Sequence, residues 1–143
     1  MGAIKIYLSG AMSGLSLEEM SKWRNQVINA IKFNFECTKK PLFFDPTQYY
    51  NFEEKKHKSE REVMDFDLYN LRNSDLVIVN LGDKGDKSIG TCMELILAKE
   101  LHIPVIAFGV NDSEIHPWIV ECCTRICDNM KEAVSHVVEF YLN

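Results

Sequence analysis

The sequence predicts an α/β fold, a single Rossmann-like (flavodoxin-like) doubly wound parallel sheet of about five strands with helices on both faces. Short apolar runs alternate with segments of helical periodicity along the chain. The run Leu76-Val77-Ile78-Val79 is continuously apolar, as a strand covered on both faces must be. No repeat, linker or low-complexity stretch interrupts the 143 residues, so residues 1–143 read as one domain long enough to bury a core.

Taken in order, Ile4-Lys5-Ile6-Tyr7-Leu8 is the first strand, stopped by Ser9-Gly10-Ala11-Met12-Ser13-Gly14. A helix follows, opened by a capping box between Ser16 and Glu19. In it Trp23, Val27, Ile28 and Ile31 recur at helical spacing and should face the core. Pro41-Leu42-Phe43-Phe44 is the second strand, closed by Asp45-Pro46. Residues 46 to about 59 form the longest irregular stretch and have two readings. One is a solvated loop running into the charged segment Glu53 to Glu62. The other is an aromatic lid of Tyr49, Tyr50 and Phe52 over a planar ligand.

A helix then covers roughly Arg61 to Arg72, followed by the central strand Leu76 to Asn80 and a turn at Gly82-Asp83-Lys84-Gly85. The helix that begins near Ser88 runs through Ala98 and leads to the strand Pro104 to Phe108. Residues 113 to 123 are helical or irregular, Thr124-Arg125-Ile126 is a short edge strand, and Met130 to Tyr141 is a closing amphipathic helix.

Hydrophobic residues at 46% and charged residues at 26% are ordinary for a globular protein. The net charge of -5 argues against a nucleic-acid polymer as partner, since that needs a basic face. No apolar run approaches membrane-spanning length and the N-terminus does not resemble a signal peptide, so no membrane partner and a cytoplasmic location are expected. Of the five cysteines, Cys122, Cys123 and Cys127 cluster without a C-x-x-C spacing. A zinc site using His116 is the alternative to buried reduced thiols; the expectation is thiols, with no metal and no cofactor.

Several chemistries are excluded by their motifs. There is no G-x-x-x-x-G-K-[ST] phosphate loop, Gly10 and Gly14 do not make G-x-G-x-x-G, and no serine sits in a nucleophile elbow. In a doubly wound sheet, right-handed crossovers bring the loops after Leu8, Asn80 and Phe108 to one edge, where ligands bind. The head of the helix containing Ser88-Ile89-Gly90-Thr91-Cys92-Met93-Glu94 meets the same edge. Its N-terminal partial charge favours an ionised Glu94, and Gly90 permits close approach of a ligand. Thr91-Cys92-Met93-Glu94 also fits a capping box in which Glu94 merely folds back on the backbone. The preceding helix brings Asp65 and Asp67 to that edge. On the residues alone, Asp67 reads as a solvent-facing helix acid and Tyr7 as a core tyrosine. Two carboxylates in unlike environments are what glycosidic bond cleavage requires.

Ile6-Tyr7-Leu8-Ser9-Gly10, a helix with Trp23-Arg24, Asp67-Leu68 eight residues ahead of Asp75-Leu76-Val77-Ile78-Val79-Asn80-Leu81, and Gly90-Thr91-Cys92-Met93-Glu94-Leu95 occur in this order. The combination resembles the nucleoside 2-deoxyribosyltransferase family, which includes the 2'-deoxynucleoside 5'-monophosphate N-hydrolases. The resemblance runs from Ile4 to about Phe108 and continues weakly through His116-Pro117-Trp118-Ile119. It implies Glu94 as the nucleophile attacking C1' of the deoxyribose, Tyr7 as the hydroxyl orienting it, and Asp67 as the acid that protonates the departing base. It further implies substrate contacts from Ser9, Gly10, Ser13, Asn80, Ser88, Gly90 and His116.

Ser88 stands where the transferases often carry Asp and the monophosphate hydrolases do not. His116 falls where the hydrolase branch places a phosphate-reaching serine from a neighbouring subunit. Ala11 and Ser13 replace the Ser and Arg of that branch's first loop, and Lys87 is the nearby compensating cation. The implied function is transfer of deoxyribose from a 2'-deoxynucleoside to another free nucleobase. Hydrolysis of a deoxynucleoside 5'-monophosphate is the alternative, and a non-catalytic nucleotide sensor the further one. The implied assembly is a homo-oligomer, a dimer or higher, with Phe140 and Tyr141 as contact or core residues.

Overall fold

The structure, a computed structural model, describes residues 2–49 and 56–143. Five parallel strands form one sheet in the order β2-β1-β3-β4-β5. The strands are β1 (Ala3–Gly10), β2 (Lys40–Phe44), β3 (Leu76–Asn80), β4 (Val105–Phe108) and β5 (Arg125–Ile126). Helices α1 (Leu17–Lys32), α2 (Glu60–Arg72), α3 (Ile89–Glu100), α4 (Pro117–Cys122) and α5 (Met130–Tyr141) cover it. The doubly wound expectation holds, with the strand order reversing between β1 and β3. That reversal opens a crevice beyond the strand ends, the place where this architecture binds ligands.

Strand alternation divides the core in two. Ile6 and Leu8 of β1, with Ile78 and Ile106, pack against Trp23, Val27 and Ile31 of α1 and Val134, Val137 and Val138 of α5. Tyr7, Val77, Val79, Val105 and Ala107 face the other way, onto Leu71 of α2, Leu95 and Ala98 of α3 and Ile119 of α4. All five residues of β3 are buried, which explains its unbroken apolar run. Tyr141 packs at the edge of the first cluster, whereas Phe140 is exposed.

Helix ends follow their capping residues. Ser16, Ser59, Ser88 and Asn129 each accept a hydrogen bond from the backbone N–H three residues on, at α1, α2, α3 and α5. At α1 the Ser16 hydroxyl also donates to Glu19 Oε1, at 3.1 Å. The closing helix begins and ends at the residues its periodicity predicts.

Three expectations change. β1 continues through Ser9 to Gly10, paired with Val79 and Asn80, rather than stopping at Leu8. Gly10 belongs there because a Cβ would lie 2.8 Å from Trp23 Cζ2. The irregular stretch opens with a 3₁₀ turn, Pro46–Gln48, capped by Asp45. Tyr49 stacks on Phe44 with ring centroids 5.3 Å apart and meets Phe66 edge-on, so it packs on the sheet side; Tyr50, Phe52 and the start of the charge run lie outside the described residues. Of the five free thiols only Cys127 is fully buried. Among the described residues no helix is long and apolar enough to cross a membrane.

Candidate active site

β1 and α3 build the centre of the site. Tyr7 and Ser9 are two residues apart on a strand, so their side chains leave on the same face, toward α3. The Tyr7 hydroxyl donates to Glu94 Oε2, and the Ser9 hydroxyl donates to Glu94 Oε1 at 2.8 Å. Glu94 is the sixth residue of α3, in its second turn. The capping-box alternative is therefore set aside. Ser88, not Thr91, caps the helix, the Thr91 N–H donates to Ser88 Oγ at 3.3 Å, and the Glu94 carboxylate is held by the strand instead.

Beyond Glu94 opens a cavity of about 450 Å³ between the end of β1, α2 and the head of α3. Glu94 and Asp67 both line it, joined by Gly10, Ser13, Ser88 and Gly90. Tyr7 is fully buried behind Glu94, stacked on Phe44 at 5.2 Å between centroids.

Burial raises both acids, and what acts against it differs between them. Burial, reinforced by the charge of Glu94, raises the Asp67 pKa to about 7, with the Arg24 charge opposing. Burial also raises Glu94 above the usual glutamate value, but the hydrogen bonds from Tyr7 and Ser9 and the charge of Arg24 pull it back. The Tyr7 phenol is held well above its ordinary value, first by burial and then by the charges of Glu94 and Asp67. Tyr7 is thus a fixed donor near neutrality. Asp67 is a carboxyl equipped to carry a proton near neutrality, while Tyr7 and Ser9 donate to the charged form of Glu94.

Other predicted residues go elsewhere. Asn80 is buried at the end of β3, where its Oδ1 accepts from the Gly82 N–H at 2.9 Å; it does not line the cavity. His116 is exposed at the head of α4, with Nδ1 accepting from the Trp118 N–H at 3.1 Å, and is also outside the lining. Asp65, the other candidate acid on α2, is exposed and paired with Arg61 at 2.9 Å. Asp75 accepts from the Lys5 N–H at 2.9 Å, tying the entrance of β3 to β1. Lys87 is exposed and does not line the cavity.

The apolar walls are new. Met12, Val63, Met64, Leu68, Ile89 and Met93 line the cavity, and none of them was singled out by the sequence. The only sequence signal was paired spacing on outward helix positions, Met64 with Leu68 and Ile89 with Met93.

No protein-family model matches the chain, and no curated protein matches it. Solved structures do. A 2-deoxyribosyltransferase from Bacillus psychrosaccharolyticus superposes with a TM-score of 0.67 at 22% identity, covering 91% of this chain and 90% of that one. A second, from Leishmania mexicana, gives a TM-score of 0.66 at 16% identity, covering 97% of this chain and 99% of that one. The fold is that of the 2-deoxyribosyltransferases. A CMP N-glycosidase from Clostridium botulinum has a TM-score of 0.57 at 14% identity, covering 95% of this chain and 99% of that one. In this deoxyribosyltransferase fold, the cavity with Asp67 and Glu94 occupies the crevice where the strand order reverses. Gly10, the last residue of β1, forms its floor.

Proposed function

We propose that the chain is a nucleoside 2-deoxyribosyltransferase. Glu94 attacks C1' of a 2'-deoxynucleoside, forming a C–O bond as the N-glycosidic C–N bond breaks, and the bond pair leaves with the base. Asp67 gives its proton to that base. A second free base, deprotonated by Asp67, then displaces Glu94 from C1', so two inversions retain the configuration. The observation that carries this reading is the gripping of both Glu94 oxygens by Tyr7 and Ser9 on a cavity shared with Asp67. The folds of transferases and of an N-glycosidase support the same reaction class.

Two features favour transfer from an uncharged nucleoside over hydrolysis of a monophosphate. The walls from α2 and α3 are apolar and suit a planar base rather than bulk water. The charged side chains lining the cavity are Glu60, Asp67 and Glu94, with no Lys, Arg or His among the described lining residues. The Glu94 carboxylate, ionised for attack, repels a phosphate dianion, and no described lining side chain is a cation to offset it. Ser88 and Gly90, at the head of α3, are the features on the side of the monophosphate.

A homo-oligomer belongs to the same reading. Ile89 and Met93 are 74% and 55% exposed yet also line the cavity, and Ile96 continues the stripe along α3. A second copy over this stripe would close the mouth of the site. Sedimentation should show a dimer or larger, weakened by Ile89→Glu.

The function is tested by incubating deoxynucleosides and deoxynucleotides with the protein, with and without a second base, and separating products by chromatography. Exchange of base is expected from wild type and none from a folded Glu94→Ala. Free base without exchange would establish hydrolysis, and undiminished turnover by Glu94→Ala would remove the mechanism.

A further inference from the structure

Arg24 lies on α1, on the opposite face of the sheet from Glu94, and is fully buried. Its place follows from where β2 ends. In the parallel register Tyr7 faces Phe44, so Leu8 falls opposite Asp45. In this ladder a carbonyl takes the N–H one residue beyond its partner, as Gly2 O takes the Lys40 N–H. For Leu8 O that donor would be residue 46, which is Pro46 and has no N–H. Arg24 supplies the missing donors. Its Nε lies 3.4 Å from Leu8 O and its Nη2 lies 3.2 Å from Gly10 O, the two carbonyls that flank Ser9. Asp45 Oδ1 sits 3.6 Å from Nε, and the Trp23 ring stacks on the guanidinium at 4.7 Å.

We propose that Arg24 is a positioning residue of this site: its guanidinium replaces the absent sheet edge beside Leu8 and Gly10 and so holds Ser9, and through it Glu94, in place for attack. The inference rests on Glu94 being the nucleophile. The fork geometry matters because the two carbonyls are served by two different nitrogens held in one plane, whereas a lysine presents a single nitrogen. The positive charge acts as well. The groups that act on Glu94 are Tyr7 and Ser9 from β1, Asp67 from α2 and, by its charge through the sheet, Arg24 from α1, and of these only Arg24 is cationic.

The test compares Arg24→Gln and Arg24→Lys with wild type, each alone and combined with Ser9→Ala, after thermal melting confirms folding. One readout is base-exchange kinetics on the pH plateau. The other is the Glu94 titration, followed by carboxyl-carbon NMR in an Asp67→Asn background, which needs no turnover. Arg24→Gln should lower kcat by about 10- to 100-fold with KM within about threefold, and should move the Glu94 titration to higher pH. Arg24→Lys should bring the titration back toward wild type while kcat stays low. In the Ser9→Ala background, losing Arg24 should cost at most about threefold more, because both residues act on one contact. Fully additive losses, or a Glu94 titration unmoved by Arg24→Gln, would overturn the proposal. If Arg24→Gln does not fold, the Arg24→Lys and Ser9→Ala cycle decides by the same criterion. A wild-type protein without exchange or hydrolysis defeats the transferase reading instead, and the titration still decides the role of Arg24.

Discussion

Tyr7 and Ser9 stand two residues apart on β1, and each donates to a different oxygen of Glu94. A carboxylate held at both oxygens cannot rotate away from the cavity, and both donors favour its charged form. Tyr7→Phe should therefore lower kcat by about 10- to 100-fold. The acid limb of its pH profile should move to higher pH, because the hydrogen bond that most lowers the Glu94 pKa is gone. Rates measured from pH 4 to 8 check this, and an unmoved acid limb would contradict it.

Transfer from a natural deoxynucleoside needs Glu94 ionised and Asp67 protonated. Activity should rise as Glu94 loses its proton and fall through about pH 7 as Asp67 loses its own. The two carboxyls interact, so the limbs belong to the pair. Asp67→Asn should abolish the alkaline limb. It should slow natural deoxynucleosides far more than a nitrophenyl deoxyriboside, whose leaving group needs no proton. Equal slowing of both substrates would show that Asp67 is not the acid.

The same shift bears on stability. Asp67 has a folded pKa raised from 3.8 to about 7, so between those values the folded protein binds more protons than the unfolded chain. Its contribution to stability therefore falls as pH rises through that window and is least above pH 7. Asp67→Asn should raise Tm at pH 8 by a few degrees, about 3 °C for each kcal/mol relieved, and by less at pH 4. Melting curves at the two pH values read the difference, and an equal change at both would refute the linkage.

The Thr91 hydroxyl is buried and has no hydrogen-bond partner among the described residues. Replacing such a group by an apolar one of the same shape removes a desolvation cost and no bond. Thr91→Val should melt no lower than wild type, within about 1 kcal/mol. A larger loss in thermal or urea unfolding would mean that the hydroxyl has a partner.

Much of the fold was legible because periodicity reports burial. Leu76 to Asn80 is apolar without a break because both faces are covered, and Met130 to Tyr141 repeats at helical spacing between an asparagine cap and its end. Ser9-Gly10 misled, since those residue types signal a turn. The reason they remain in the strand is tertiary: Trp23 fills the space a side chain at Gly10 would need. At the site, sequence order placed Tyr7, Asp67 and Glu94 on the right elements. It did not give the direction of a side chain, so Asn80 was expected at the ligand and is found accepting from the Gly82 N–H, outside the cavity lining. The walls were illegible for another reason. Met64, Ile89 and Met93 are apolar residues that remain exposed, and spacing alone does not distinguish lining from core.

The cavity draws its two sides from separate parts of the chain. The attacking group and its donors come from α3 and β1, while Val63, Met64, Asp67 and Leu68 come from α2. Under the proposed roles, α2 carries both the acid for the departing base and much of the apolar wall that meets it, while α3 and β1 hold the group that attacks the sugar. Substitutions at Val63, Met64 and Leu68 can then redraw the menu of accepted bases while Asp67, Glu94, Tyr7 and Ser9 are inherited intact.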